Sequence, residues 1–195
     1  ALVARGVGLD ATKTTILPQL VELSNDEKIE VRLAAIETVV HLLSLLDDDT
    51  CTQTIVPLVI KSCDQAKQLE DATLPRIAHH YGRLCHGLTP NLNQDQKQWF
   101  LDYYRQLSKL GLAGRSSAAV IKDGEKEKIG FSTTTTTATA GSAFNKPMPD
   151  LVPVEDKTAM FIECRRECAY NFPAMVLFLG SANFADLMFP TFVDF

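Results

Sequence analysis

Apolar residues recur at helical spacing on either side of a short polar turn near the start of the chain. Ile16, Leu20 and Leu23 fall at i, i+4 and i+7, and the same periodicity resumes after the turn. The pattern predicts two amphipathic helices, from about Lys13 to Ser24 and from about Ile29 to Leu46. Such a helical hairpin cannot bury both apolar faces by itself, so we expect further hairpins stacked beside it.

The start of this hairpin is repeated later in the chain. Thr15-Ile16-Leu17-Pro18 returns as Thr54-Ile55-Val56-Pro57, and a period of about forty residues is typical of HEAT and armadillo repeats. Helices are then expected at Ile55–Cys63 and Asp71–Leu88 for the second hairpin, and at Gln96–Leu110 for the first helix of the third. The sequence therefore predicts an all-α protein, an α-solenoid of about three and a half HEAT-type helical hairpins.

Helical periodicity is absent between residues 112 and 156. This stretch contains a charged run from Lys122 to Lys128, five consecutive threonines from Thr133 to Thr137, and several prolines. Such a composition predicts a disordered, low-complexity, Thr-rich insertion. It separates helical hairpins at 1–111 from a continuation of the solenoid at 157–195. Both ends carry apolar residues rather than the polar surface of an end repeat, so we expect a fragment of a longer array.

Two arginines occupy matching positions when the repeats are aligned by sequence. Arg166-Glu167-Cys168-Ala169 resembles Arg32-Leu33-Ala34-Ala35, and apolar residues follow both strings at similar distances. In HEAT repeats such an arginine commonly reaches a turn aspartate of its own or a neighbouring repeat, here Asp26 or Asp71. We therefore interpret Arg32 and Arg166 as members of a structural ladder between repeats, with direct binding of a partner as the alternative.

Charge and cysteine content narrow the function classes. The formal net charge of −5 argues against a nucleic-acid partner, which would favour clustered Lys and Arg. No apolar run approaches the ~18 residues that a membrane-spanning helix needs, so no membrane partner is expected. The five cysteines are scattered and lie mostly on apolar helical faces, a pattern that favours reduced thiols in a cytosolic or nuclear protein.

One stretch carries residue types found in metal sites. His79, His80, Cys85 and His86 lie close together, but consecutive residues on a helix point about 100° apart. His79 and His80 therefore cannot both face a ligand set that includes Cys85, and a structural zinc site needs four convergent ligands. We interpret Cys85 as a core residue, with His80 and His86 at the surface or between repeats, and expect no metal.

Other candidate sites also favour structural interpretations. Cys164 and Cys168 lie at i and i+4, outside the Cys-x-x-Cys arrangement of a redox pair, and are expected in the core. Asp47 to Asp49 lack the glycine and distal glutamate of a calcium loop, so a solvated turn is expected. With no phosphate-binding glycine loop and no nucleophile elbow, we expect a protein that is not an enzyme and has no cofactor.

Four strings extend the likeness beyond the repeat class. The segments LPQLVELSNDEKIEVRLAAIETVVHLL (17–43), QTIVPLV (53–59), GRLCHGL (82–88) and CAYNFPAM (168–175) resemble the middle of the HEAT-repeat family of serine/threonine protein phosphatase 4 regulatory subunit 4. The resemblance implies a cytoplasmic, non-catalytic regulatory or scaffold subunit that binds the phosphatase 4 catalytic subunit. The alternative is a HEAT-repeat adaptor that binds peptide segments in trafficking or transport.

Binding residues follow from the expected solenoid. In HEAT proteins the turns within hairpins form a ridge, and the second helices line the concave side. The candidate partner-binding residues are accordingly Asn25, Asp26, Glu27 and Lys28 on the ridge, and Glu37, His41, Arg76, His80 and Arg83 on or near the second helices. A charged face that only contacts solvent is the alternative.

Overall fold

The computed structural model describes residues 2–112, 157–180, 183 and 188–193. Within these ranges the regular structure is entirely helical. The predicted insertion at 112–156 lies outside the described residues except for Leu112. The α-helices are α1 (Leu2–Val7), α2 (Leu9–Ala11), α3 (Leu17–Leu23), α4 (Ile29–Leu42), α5 (Asp48–Thr50), α6 (Val56–Leu69), α7 (Thr73–Leu88), α8 (Gln94–Ser108), α9 (Thr158–Leu179) and α10 (Phe189–Val193).

The repeated proline shapes the first helix of two successive hairpins in the same way. A single residue separates each proline from a preceding π-helical turn. The turn is Thr12–Ile16 before Pro18 and Cys51–Ile55 before Pro57. A proline has no N–H for the carbonyl four residues back, and its ring crowds that carbonyl. The wider π-helical turn accommodates the ring. The first helical segment therefore runs through α2, the turn and α3 from Leu9, earlier than the Lys13 start that periodicity predicts.

The starts of α2 and α8 have different local chemistry. Gly8, with φ 85°, precedes α2, and no side chain caps this helix. At α8, Asn93 accepts a hydrogen bond from the Gln96 backbone N–H, and the Gln96 side chain accepts one from the Asn93 backbone. This capping box satisfies two backbone donors that the helix itself leaves unpaired.

The helices pack in two layers, as expected for a HEAT-type solenoid. Helices α3, α6 and α8 are the first helices of three hairpins, and α4, α7 and α9 are the second helices. Each first helix contacts its own second helix, and α7 lies between α4 and α9, with its most extensive contact to α9. The all-α solenoid prediction is confirmed. The residues from 113 to 156 separate the two helices of the third hairpin, where the predicted insertion was placed.

Tyrosines form the centre of the core where α7, α8 and α9 meet. Tyr81 is fully buried and stacks on Tyr103 and Tyr104, with ring centroids 5.9 Å apart in both pairs. Buried hydroxyls need a hydrogen-bond partner, and all three have one in a main-chain carbonyl. The bonds run from Tyr81 to Phe100 (2.6 Å), from Tyr103 to Cys63 (2.9 Å) and from Tyr104 to Cys168 (2.6 Å).

The sequence register of α9 differs by one residue from the predicted alignment with α4. Cys168 and Met175 of α9 are fully buried, and they match the buried residues Ala35 and Leu42 of α4. Leu177, in contrast, is 82% exposed. The prediction aligned Leu177 with Leu43, and the burial pattern moves the match back by one position. The residue equivalent to Arg32 is therefore Arg165, not Arg166.

Two glycines on α7 allow its neighbours to approach closely. A Cβ built at Gly82 would lie 2.5 Å from Asn171 Oδ1 and 2.9 Å from Ala174 Cβ, and one built at Gly87 would lie 2.8 Å from Leu43 Cδ1. Asn171 Nδ2 donates to the carbonyls of Ala78 (2.9 Å) and of the next residue in the chain (3.1 Å). The strings GRLCHGL and CAYNFPAM, which carry the family resemblance, thus meet at the α7–α9 interface.

Candidate protein-binding surface

Arg32 links the turns of two consecutive hairpins. Its side chain is buried, and Nη1 donates to the carbonyls of Asp26 (2.9 Å) and Glu27 (3.0 Å) in its own hairpin. Nη2 forms an ion pair with Asp71, which lies before α7 and also accepts from the backbone N–H of Thr73 at 2.9 Å. The guanidinium thereby neutralises a carboxylate and satisfies two carbonyls at the junction of the repeats.

The third hairpin uses a different arginine from the predicted one. Arg166 is exposed and pairs with Glu163 (3.4 Å) and Glu167 (3.1 Å) of its own helix. Arg165 instead donates through Nη1 to the carbonyl of Leu110, at the end of α8. An arginine of the second helix again binds a carbonyl of the turn that follows the first helix, as Arg32 does. Arg166 therefore lies outside the arrangement that the sequence predicted for it.

The turn of the first hairpin, Asn25 to Lys28, contains the four predicted ridge residues. Asn25 Nδ2 donates to the Val21 carbonyl at 2.6 Å, and Asp26 Oδ1 accepts from the Lys28 backbone N–H at 2.7 Å. These two side chains therefore hold the turn in shape. Glu27 and Lys28 are exposed, and their side chains are the ones that this turn presents to solvent.

The exposed side of α4, α7 and α9, which we call the second-helix face, carries charges from three repeats. Glu37 of α4 and Arg76 of α7 form an ion pair at 3.3 Å, and His79 of α7 hydrogen-bonds Glu167 of α9 at 2.9 Å. Partial burial raises the pKa of Glu167, but hydrogen bonds from His79 and Arg166 outweigh it and leave that pKa below its ordinary value. These pairs connect neighbouring second helices across the face.

Further along the same face, beyond Glu37 and Arg76, the exposed side chains are histidines and an arginine. His41 lies one turn beyond Glu37 on α4 and is exposed, with Nδ1 at 2.6 Å from the Glu37 carbonyl. Arg83 and His86 continue the exposed side of α7. Of the predicted face residues, the structure brings Glu37 and Arg76 into direct contact, and it places His41 and Arg83 on the same face.

His80, also predicted as a binding residue, lies beneath this face. It is 7% exposed, and neither ring nitrogen has a hydrogen-bond partner among the residues that the structure describes. Burial and the nearby His79, Arg76 and Arg83 lower its pKa to about 4, against the smaller opposing effect of Glu37. The imidazole is therefore neutral at pH 7 and packs next to cationic groups.

Sequence reasoning missed residues that help to build this surface. His79 and Glu167 join α7 to α9, and with Arg76 they line a groove of about 230 Å³. A second groove of about 540 Å³ lies between the ends of α7 and α9, lined by His86, Thr89, Pro90, Ala174, Leu177 and Phe178. The spacing of Arg76, His79, Arg83 and His86 on one side of α7 is visible in the sequence; the partners contributed by α9 are not.

The cysteines and acidic residues form no candidate metal centre within the described ranges. No group of three or more His, Cys, Asp and Glu side chains there is arranged to hold a metal ion, and all five cysteines are free and buried. Asp47 pairs with Lys13 at 2.7 Å, and this hydrogen bond is the main cause of a pKa lowered to about 2. Among the same residues, no helix combines the length and apolar character needed to cross a membrane.

Comparison with known families agrees with this geometry. Residues 16–46, which contain α3, the first-hairpin turn and α4, match the HEAT repeat family. This match covers the first helical hairpin of the chain. The chain is 37% identical over 190 residues to human serine/threonine-protein phosphatase 4 regulatory subunit 4 and 35% identical to the mouse protein of the same name.

These alignments include 97% of the chain but only 19% of each relative. The chain thus spans about a fifth of the length of these curated relatives. No solved structure matches it. The resemblance recognised from the four sequence strings is confirmed, and it extends over nearly the whole chain.

Proposed function

We propose that this HEAT-repeat chain is part of a non-catalytic regulatory subunit that binds the catalytic subunit of a phosphatase-4-type serine/threonine phosphatase in the cytoplasm. The observation that carries the proposal is the similarity, over 97% of the chain, to two proteins named as regulatory subunits of phosphatase 4. Stacked helical hairpins present extended surfaces suited to binding another protein. This role requires no cofactor.

The binding residues we propose lie on two adjoining surfaces. The first-hairpin turn presents Glu27 and Lys28, with Asn25 and Asp26 holding its shape. The second-helix face contributes Glu37 and Arg76, together with His41, Arg83 and the underlying His80. Exposed charges of this kind guide association and select partners more than they add affinity.

The experiment is a binding measurement between the purified 195-residue chain and the purified phosphatase 4 catalytic subunit, with circular dichroism used to verify folding. We expect saturable binding that weakens in Lys28→Glu and in Arg76→Glu. Lys61→Glu is the matched control for both, because Lys61 is exposed on α6 of the other layer. A folded chain that fails to bind the catalytic subunit would overturn the proposal.

A further inference from the structure

The second-helix face divides into two parts that differ in charge balance. In the first part, Glu37 pairs with Arg76 and His79 pairs with Glu167, so each basic group faces a carboxylate. We call the second part the basic half; it consists of His41, Arg83 and His86 with the underlying His80. Arg83 and His86 form no ion pair or side-chain hydrogen bond with any residue that the structure describes.

Packing places the members of the basic half together. Helices α4 and α7 lie side by side, with Glu37 against Arg76 at one point and Leu43 against Gly87 at another. His41 lies between these two contacts on α4, and Arg83 lies between them on α7. Across α7, Asn171 and Ala174 of α9 approach Gly82, so the neighbouring turn of α9 brings no carboxylate to Arg83.

His80 provides an independent observation at the same place. Its side chain is more than nine-tenths buried, and both ring nitrogens lack a hydrogen-bond partner within the described part of the chain. A buried polar group without a partner costs free energy. Arg76 and Arg83 lie one turn away from it on either side along α7, and their positive charge disfavours protonation of the ring. An anion bound to Arg83 would offset this repulsion and could accept a hydrogen bond from a ring N–H of His80.

An apolar groove adjoins the basic half. His86 lines it together with Ala174, Leu177 and Phe178, and its volume is about 540 Å³. Leu177 is 82% exposed and Tyr170, two turns earlier on α9, is 77% exposed. An apolar side chain of a binding partner would bury surface here at roughly 25 cal/mol per Å².

We propose that the basic half binds an acidic segment of the phosphatase catalytic subunit, with a carboxylate on Arg83 and a neighbouring apolar side chain in the groove beside His86 and Leu177. This inference rests on the proposed function and adds the chemistry of the contact. A guanidinium binds a carboxylate through two parallel N–H donors, which gives both affinity and orientation. Because the net charge of the chain is −5, an acidic segment is attracted by this local patch and not by the protein as a whole.

The test is the affinity of the purified 195-residue chain for the phosphatase 4 catalytic subunit, measured at low and high salt. We expect Arg83→Glu to weaken binding at least tenfold and Arg83→Lys to weaken it by a smaller factor. The salt dependence of binding should also decrease in Arg83→Ala. Lys61→Glu is the matched control, because Lys61 is exposed on α6 in the other layer, and it should bind as the unmodified chain does.

Two further outcomes separate this inference from the proposed function. If the catalytic subunit binds the unmodified chain and Arg83→Glu equally well, the inference is overturned and the proposed function stands. If the catalytic subunit does not bind at all, the proposed function fails.

The preference of the basic half for an acidic segment is then tested with a glutamate-rich peptide containing one leucine. Binding of this peptide is followed by the NMR resonances of the His80 imidazole. A shift of these resonances that is lost in Arg83→Glu supports an acidic-segment site, and no shift overturns it.

Discussion

Arg32 of the first hairpin and Asp71 in the turn of the second hairpin form an ion pair that joins consecutive repeats. The same guanidinium binds two carbonyls of its own turn, so one side chain connects both turns. Ion pairs on an exposed surface add little stability, but this arginine is buried. Removing it would leave Asp71 Oδ2 and two carbonyls without this donor.

We expect Arg32→Ala to lower the free energy of unfolding by about 2 to 3 kcal/mol, because a largely buried pair loses one partner. Chemical denaturation measures this change. Arg166→Ala is the control: its side chain is exposed, and its ion pairs with described residues are within α9, so the expected loss is under about 0.5 kcal/mol. An unchanged unfolding midpoint in Arg32→Ala, or equal losses in the two variants, would contradict the ladder described here.

Gly82→Ala should destabilise the α7–α9 interface. The added methyl group would overlap Asn171 Oδ1 and the Ala174 side chain, and overpacking of this kind typically costs about 1 to 3 kcal/mol. Gly6→Ala is the matched control, because no atom that the structure describes lies within 4 Å of a Cβ at Gly6 and alanine favours the helix. Thermal unfolding of the two variants should shift in opposite directions; equal shifts would contradict this account of the close approach.

His80 should make stability fall as the pH is lowered. Its pKa is about 4 in the folded chain and 6.5 for the unperturbed side chain, so below about pH 6.5 the unfolded chain binds a proton that the folded chain does not. Stability linked to His80 is fully present above pH 6.5 and falls as the pH drops towards 4, by about 2 kcal/mol at pH 5.

His80→Phe removes this titration, and its stability should vary less between pH 7.5 and pH 5 than that of the unmodified chain. Denaturant unfolding at the two pH values measures the difference. His86→Phe serves as the comparison at an exposed position of the same helix. The assignment to His80 would be wrong if His80→Phe kept the full pH dependence.

The cysteines should be unreactive while the protein is folded. All five are buried, and burial raises the pKa of the thiols, to about 12 at Cys164. Because the thiolate is the reactive form, a disulfide reagent should modify none of them in buffer and all five in denaturant. Rapid modification of one thiol under native conditions would show that this part of the core opens locally.

Local sequence patterns predicted the helices well because amphipathic spacing and end signals act over a few residues. The ends of α7 and the start of α8 fall within two residues of their predicted positions. The π-helical turns before Pro18 and Pro57 were not predicted. They arise from how the helix accommodates the proline ring, and hydrophobic periodicity carries no signal of that.

The sequence by itself determined the all-α repeat architecture, the family resemblance and the charged stripe on α7, because each of these is encoded in the spacing of neighbouring residues. Tertiary structure alone decided that Arg165 and not Arg166 binds the third turn, that His80 lies beneath the surface, and that Glu37 and Glu167 neutralise one half of the second-helix face. Those outcomes depend on contacts between helices far apart in the chain, where a shift of one residue around a helix changes which side chain faces the neighbour.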